Sequence, residues 1–151
     1  MNPMPTIDLY TDGSFRPPHY GGYAAFLQYG SQYKIIANGI PHTTIGRMEL
    51  LAVVTGLEDL TCPCNVNFYC DSQYVVFTIQ KGWIWNWARN GWLTSQGSPV
   101  KHRDLMERLI KQLKIHRVNA QWVKGHNGHW QNELCDTFAQ DETIKLSRNQ
   151  G

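Results

Sequence analysis

Four carboxylates and one histidine set the chemical question posed by this chain: Asp12, Glu49, Asp71 and Asp136, with His126 in a glycine-flanked loop. Each carboxylate has its own short segment: Tyr10-Thr11-Asp12-Gly13-Ser14, Arg47-Met48-Glu49-Leu50, Cys70-Asp71-Ser72-Gln73-Tyr74 and Glu133-Leu134-Cys135-Asp136. Converging carboxylates repel one another, which raises at least one pKa unless cations intervene. Hard oxygen donors without paired His or Cys select Mg²⁺ or Mn²⁺ over zinc. Two such ions about 3.5–4 Å apart can serve both the attacking water and the leaving 3′ oxygen of a phosphodiester. A loop histidine titrating near neutrality can carry protons or help expel the product phosphate. Metal-dependent phosphodiester hydrolysis is therefore the chemistry this set would support.

Taken singly, each carboxylate has a structural explanation. Asp12-Gly13 is a common hairpin signal. Glu49 falls in the first turn of a helix, where a carboxylate favours the dipole. Asp71 follows a strand and precedes a helix, a place where α/β sheets put ligands but where Asp also caps helices. Asp136 in mid-helix could face solvent. The joint pattern in this order is far less probable than any member.

The elements that must position these residues can be read coarsely. Ile7 to Asp12 alternates as a strand, ended by the Gly/Pro-rich stretch Gly13 to Gly22, and Tyr23–Gln28 and Gln32–Asn38 form a hairpin about Gly30-Ser31. Thr43-Thr44 caps a helix with Met48, Leu51, Val54 (or Thr55) and Leu57 at helical spacing, stopped by Cys62-Pro63. Asn65–Cys70 is a strand, and Asp71-Ser72 opens a short helix to Gln80. A tryptophan-rich stretch runs from Gly82 to Trp92. A helix over Asp104–Lys114 uses Leu105, Leu109 (or Ile110) and Leu113, and Val118–Val123 is a strand. A last helix from Asn132 to about Glu142 turns Leu134, Cys135 and Phe138 inward, leaving a loose tail after Lys145. This order describes one domain over residues 1–151, a mixed sheet flanked by helices.

The 151 residues are 42% hydrophobic, enough for an ordinary core, and no run approaches the ~20 apolar residues of a membrane span. The N-terminus has neither a basic start nor an apolar run, so a cytoplasmic protein is expected; separately, a monomer is expected. Lys81 to Lys124 holds nine Lys/Arg against Asp104 and Glu107, a net +7; with a whole-chain charge of +2, the remainder carries −5. A basic middle beside acidic ends suits a polyanion gripped in one place and attacked in another. Cys62-Pro63-Cys64 with His126 and His129 lacks zinc-ribbon spacing, while Cys70 and Cys135 fit core thiols.

Together with Trp122-Val123-Lys124-Gly125-His126-x-Gly128-His129 and Asn132-Glu133-x-Cys135-Asp136, the four segments resemble bacterial type 1 ribonuclease H over nearly the whole chain. The resemblance implies an α/β ribonuclease H-like fold with a five-stranded mixed sheet whose first three strands are antiparallel. It also implies cleavage of the RNA strand of RNA/DNA hybrids. Asp12, Glu49, Asp71 and Asp136 match the metal-binding carboxylates of the family, holding Mg²⁺ or Mn²⁺, and His126 matches its mobile catalytic histidine. Gly13 and Gln73 are placed to meet 2′-hydroxyls, and Thr44 to line a phosphate pocket. Trp83 and Arg89 fall in a basic, tryptophan-rich protrusion of the kind that grips the DNA strand, with Lys101, Arg103 and Lys124 as further cations. His129 and Asp8 are assigned to structure.

The chain departs from the family in four places. Ala88-Arg89-Asn90 stands where a basic cluster is usual, Ile45-Gly46 where asparagines often read the minor groove, and Met106 where a stacking tryptophan is frequent. Phe15 to Tyr20 lacks the usual Asn-Pro-Gly. The competing readings are a resolvase- or transposase-type nuclease of the same fold acting on DNA, and a hybrid-binding module without catalysis.

Overall fold

The computed structural model describes residues 3–125 and 129–149. Alternation of apolar side chains builds β1 (Thr6–Arg16), which pairs antiparallel with β2 (Tyr20–Tyr29), itself antiparallel to β3 (Gln32–Ile40). On its other edge β1 pairs parallel with β4 (Asn65–Cys70), followed by β5 (Arg117–Trp122), giving the order β3-β2-β1-β4-β5. The expected mixed sheet with three leading antiparallel strands is present. The helices are α1 (Ile45–Glu58), α2 (Gln73–Gln80), α3 (Trp83–Arg89), α4 (Arg103–Ile115) and α5 (Trp130–Asn149).

The pleat of β1 separates two cores. Ile7 and Leu9 join Val53, Leu57, Phe68, Ile84 and Leu105 in the main cluster, on the side that α1 covers. Tyr10 lies with Phe26, Cys135 and Ala139 under α5. Asp12, sharing the parity of Tyr10, projects to the α5 side. Among the described residues, no helix is long and apolar enough to cross a membrane.

Four local expectations are corrected. β1 does not end at Asp12-Gly13: it continues to Arg16, because Asp12 and Gly13 pair with Ala24 and Tyr23 of β2, and the turn lies at residues 17–19. Glu49 is in the second turn of α1, since Thr44 is the N-cap, its hydroxyl accepting from Arg47 N at 3.3 Å. Phe138 is 36% exposed; Gln131, Cys135, Ala139 and Thr143 form the inward row of α5. A Cβ on Gly22 would stand 2.1 Å from the Ala139 carbonyl oxygen, so the helix lies close enough to the sheet that small residues must face it. The tail after Lys145 is helical to Asn149, with Leu146 against Gly39.

Two bidentate ion pairs tie α4 to α1. Arg47 donates to both oxygens of Asp104 (Nη1 at 3.0 Å, Nη2 at 2.6 Å), and Arg108 grips Glu58 through Nε at 3.1 Å and Nη2 at 2.6 Å. Met106, the departure where a stacking residue is frequent, is wholly buried in the same seam and cannot meet a nucleotide.

Candidate active site

Asp12 stands in mid-strand, and its Oδ1 accepts from the Gly13 amide at 2.9 Å. Gly13 is required there: an added Cβ would meet Glu49 N at 2.8 Å and Met48 C at 3.0 Å, both backbone atoms, so only glycine lets α1 approach β1 at Glu49. Asp71 is the first residue past β4, next to Ser72, whose hydroxyl caps α2 by accepting from Val75 N at 3.3 Å. Asp136 enters from the second turn of α5, its Oδ1 accepting from Gln140 Nε2 at 3.0 Å.

Burial, then the neighbouring charges of Asp71 and Asp136, push the Asp12 carboxyl up to about 8, with a hydrogen bond to Asp136 adding to the rise and the Gly13 amide opposing it. Glu49 is also raised, chiefly by burial; a hydrogen bond with Ser72 opposes the rise and the charge of Asp71 adds to it. All four predicted carboxylates are thus electrostatically linked. Asp12, Asp71 and Asp136 share a cleft of about 80 Å³ whose walls include Thr11, Asn132 and Glu133. Among the described residues, no three His, Cys, Asp or Glu side chains are grouped closely enough to hold a metal ion as they stand.

Asn132 and Glu133 were not singled out from the sequence. The signal was their spacing: residues three and four before Asp136 share its side of a helix. Asn132 Nδ2 donates to the Tyr69 carbonyl at 3.1 Å, tying the start of α5 to the end of β4. His126 lies outside the described residues. His129 packs edge-on against Tyr10 and Tyr69, at 5.4 and 4.7 Å between ring centroids, in keeping with a structural role. Cys64, Cys70 and Cys135 are buried.

The candidate substrate contacts divide into two groups. Gly13 and Gln73 adjoin the carboxylates, Gln73 being exposed at the first position of α2. Trp83, Arg89 and Lys101 do not line the acidic cleft. Trp83 packs on Phe77 and Trp87 (6.1 and 6.3 Å), and Trp87 stacks on Tyr74 at 6.3 Å. Arg89 is exposed at the end of α3 and donates to Asn86, and Lys101 is exposed before α4. Thr44 is exposed, its hydroxyl engaged as the α1 cap.

The mixed sheet brings carboxylates of β1, α5 and the end of β4 to one cleft, with Glu49 of α1 electrostatically linked to Asp71 beside it, in a fold of the α/β class. The RNase H family profile matches residues 4–144. Ribonuclease H of Oleidesulfovibrio alaskensis is 50% identical over 137 residues, covering 90% of this chain and 89% of that protein. Ribonuclease H of Bradyrhizobium diazoefficiens is 44% identical over 151 residues, covering 99% and 97%. Among solved structures, LC9-RNase H1, described as a type 1 RNase H with the type 2 active-site motif, aligns with a TM-score of 0.83 at 25% identity, covering 97% of this chain and 75% of that one. The PFV RNase H domain shares the fold (TM-score 0.76, 23% identity, 91% and 94% covered). The chain belongs to the ribonuclease H family and is a nuclease, a hydrolase of phosphodiesters.

Proposed function

We propose that this chain is an endonuclease that hydrolyses the RNA strand of RNA/DNA hybrids, leaving 5′-phosphate and 3′-hydroxyl ends, and that it acts as a cytoplasmic monomer. The observation that carries the catalytic part is the cleft shared by Asp12, Asp71 and Asp136, where partial burial and then the two neighbouring charges push the Asp12 carboxyl up to about 8. Such crowding disfavours the charged carboxylates, and divalent cations relieve it. The donor set fits hard ions, being all oxygen, so Asp12, Glu49, Asp71 and Asp136 would hold Mg²⁺, or Mn²⁺ in its place. Bound there, two such ions would stabilise both the entering and the leaving oxygen of an in-line displacement.

The chain's own residues supply the rest. Gly13 offers its backbone beside Asp12, and Gln73 extends an amide two residues past Asp71, so 2′-hydroxyls are within their chemistry. His126 serves as the proton carrier near the product phosphate. Trp83, Arg89 and Lys101 form a grip on the DNA strand, with phosphate contacts supplying affinity. Strand-labelled RNA/DNA, RNA/RNA and DNA/DNA duplexes incubated with Mg²⁺ or Mn²⁺ test this. Only the RNA of the hybrid should be cut; equal cleavage of duplex DNA sinks the proposal.

A further inference from the structure

Beside the carboxylate cleft, on the same side of the sheet, lies a recess of about 300 Å³ lined by Ser14, Phe15, Arg16, Pro17, Gln140 and Thr143. Asp12, Ser14 and Arg16 are alternate residues of β1 and so project to one face. Gln140 joins the two recesses, lining this one while donating to Asp136. Four residues of extended strand span roughly 13 Å, which places Arg16 within a few nucleotides of a phosphate held at Asp12.

The charge pattern singles out Arg16. Outside the basic segment the chain carries −5, and its cations there are Arg16, Lys34, Arg47, Lys145 and Arg148. Lys34 pairs with Asp59, Arg47 with Asp104 and Lys145 with Glu142, whereas Arg148 lies at the far end of α5. Arg16 is exposed, and among the described residues no carboxylate pairs with it. A guanidinium left open in acidic surroundings, beside a hydroxyl and an amide, offers a planar bidentate donor to a phosphate.

We infer that this recess is a second phosphate subsite, in which Arg16, with Ser14 beside it, holds a backbone phosphate of the RNA strand near the scissile one. This rests on the reading of the chain as a hybrid nuclease. The strand held at Arg16 is the strand cut at Asp12, because both side chains leave one β-strand on one face, two alternations apart, with only the small Ser14 between them along the strand. The basic segment packs against the α1 side of the sheet through Ile84 and Leu105, so Arg16 anchors the substrate from the other side.

The test is hybrid binding in EDTA, by fluorescence anisotropy over a salt series, for the wild type, Arg16→Ala and Arg16→Lys. Arg16→Ala should weaken binding and make the slope of log K against log[salt] shallower by about 0.7–0.9, while Arg16→Lys keeps the slope. Single methylphosphonates scanned through a 2′-O-methyl RNA strand should reveal a position where neutralisation weakens wild-type binding and no longer weakens binding by Arg16→Ala. An unchanged slope in Arg16→Ala, or a coupled position found on the DNA strand instead, overturns the subsite. Strand-labelled cleavage by the wild type judges the underlying reading separately: if hybrids are cut and the slope is unchanged, only the subsite falls.

Discussion

Asp12 is placed where its charge is costly, and that cost has a measurable sign. Its folded pKa of about 8 lies above the ordinary 3.8, so the folded state keeps a proton that the unfolded chain has already lost. Stability from this group is therefore full below about pH 4 and is lost as pH rises towards 8. In EDTA, Asp12→Asn should flatten that decline and melt several degrees higher than wild type at pH 8, although turnover is abolished. Mg²⁺ should raise the melting temperature of the wild type much more than that of Asp12→Asn. Parallel melting curves from pH 5 to 9 would mean that Asp12 is not under repulsion. His126→Ala should slow turnover by ~10²–10⁴-fold without eliminating it, and should flatten the pH–rate profile near neutrality. At this scale the sequence was informative for residue type and order: the four acids could be proposed together because four short acidic segments follow one another in a family-like order, and the fold links their charges. Glu133 and Gln140 were not, since a helical acid and a helical amide look like solvated surface until the partner across the cleft is known.

Elements bring these residues together through close approaches that glycine permits. Gly22→Ala would set a Cβ 2.1 Å from the Ala139 carbonyl oxygen and push α5, which carries Asp136, away from β2. We expect a loss of about 1–3 kcal/mol in urea unfolding and a fall in kcat larger than any change in KM. The end of α3 gives a second prediction. Asn90 is exposed, so Asn90→Lys should tighten hybrid binding and steepen the salt slope by about 0.7–0.9. Ala88 is half-buried against the main core, so Ala88→Lys should lower stability, and adding both lysines would mix the two effects. Element boundaries were the least legible part of the fold. Asp12-Gly13 reads locally as a turn, but pairing with Ala24 and Tyr23 of β2 overrides it. Phe138 is the more apolar choice for an inward position, yet the approach of α5 to Gly22 admits only Ala139 there.

For the molecule as a whole, the segregation of charge was visible from composition, and the fold converts it into geography: the basic helices pack on the α1 side of the sheet, and the acids collect at its cleft. What composition could not show is how firmly the two regions are joined. The bidentate pairs Arg47–Asp104 and Arg108–Glu58 fasten the helix that carries Glu49 to the helix that follows the tryptophan-rich stretch. On the proposed reading, holding and cutting fall to elements that these pairs and the main core join, which would make the enzyme a ruler. The gap between the gripped phosphate and the broken bond is fixed before any substrate arrives, so the first cut in a hybrid with a defined end should fall at a constant offset. Asp104→Ala, which frees one fastening without touching the acids, should blur that offset into a wider ladder of products on a sequencing gel; an unchanged ladder would show that apolar packing alone sets the gauge.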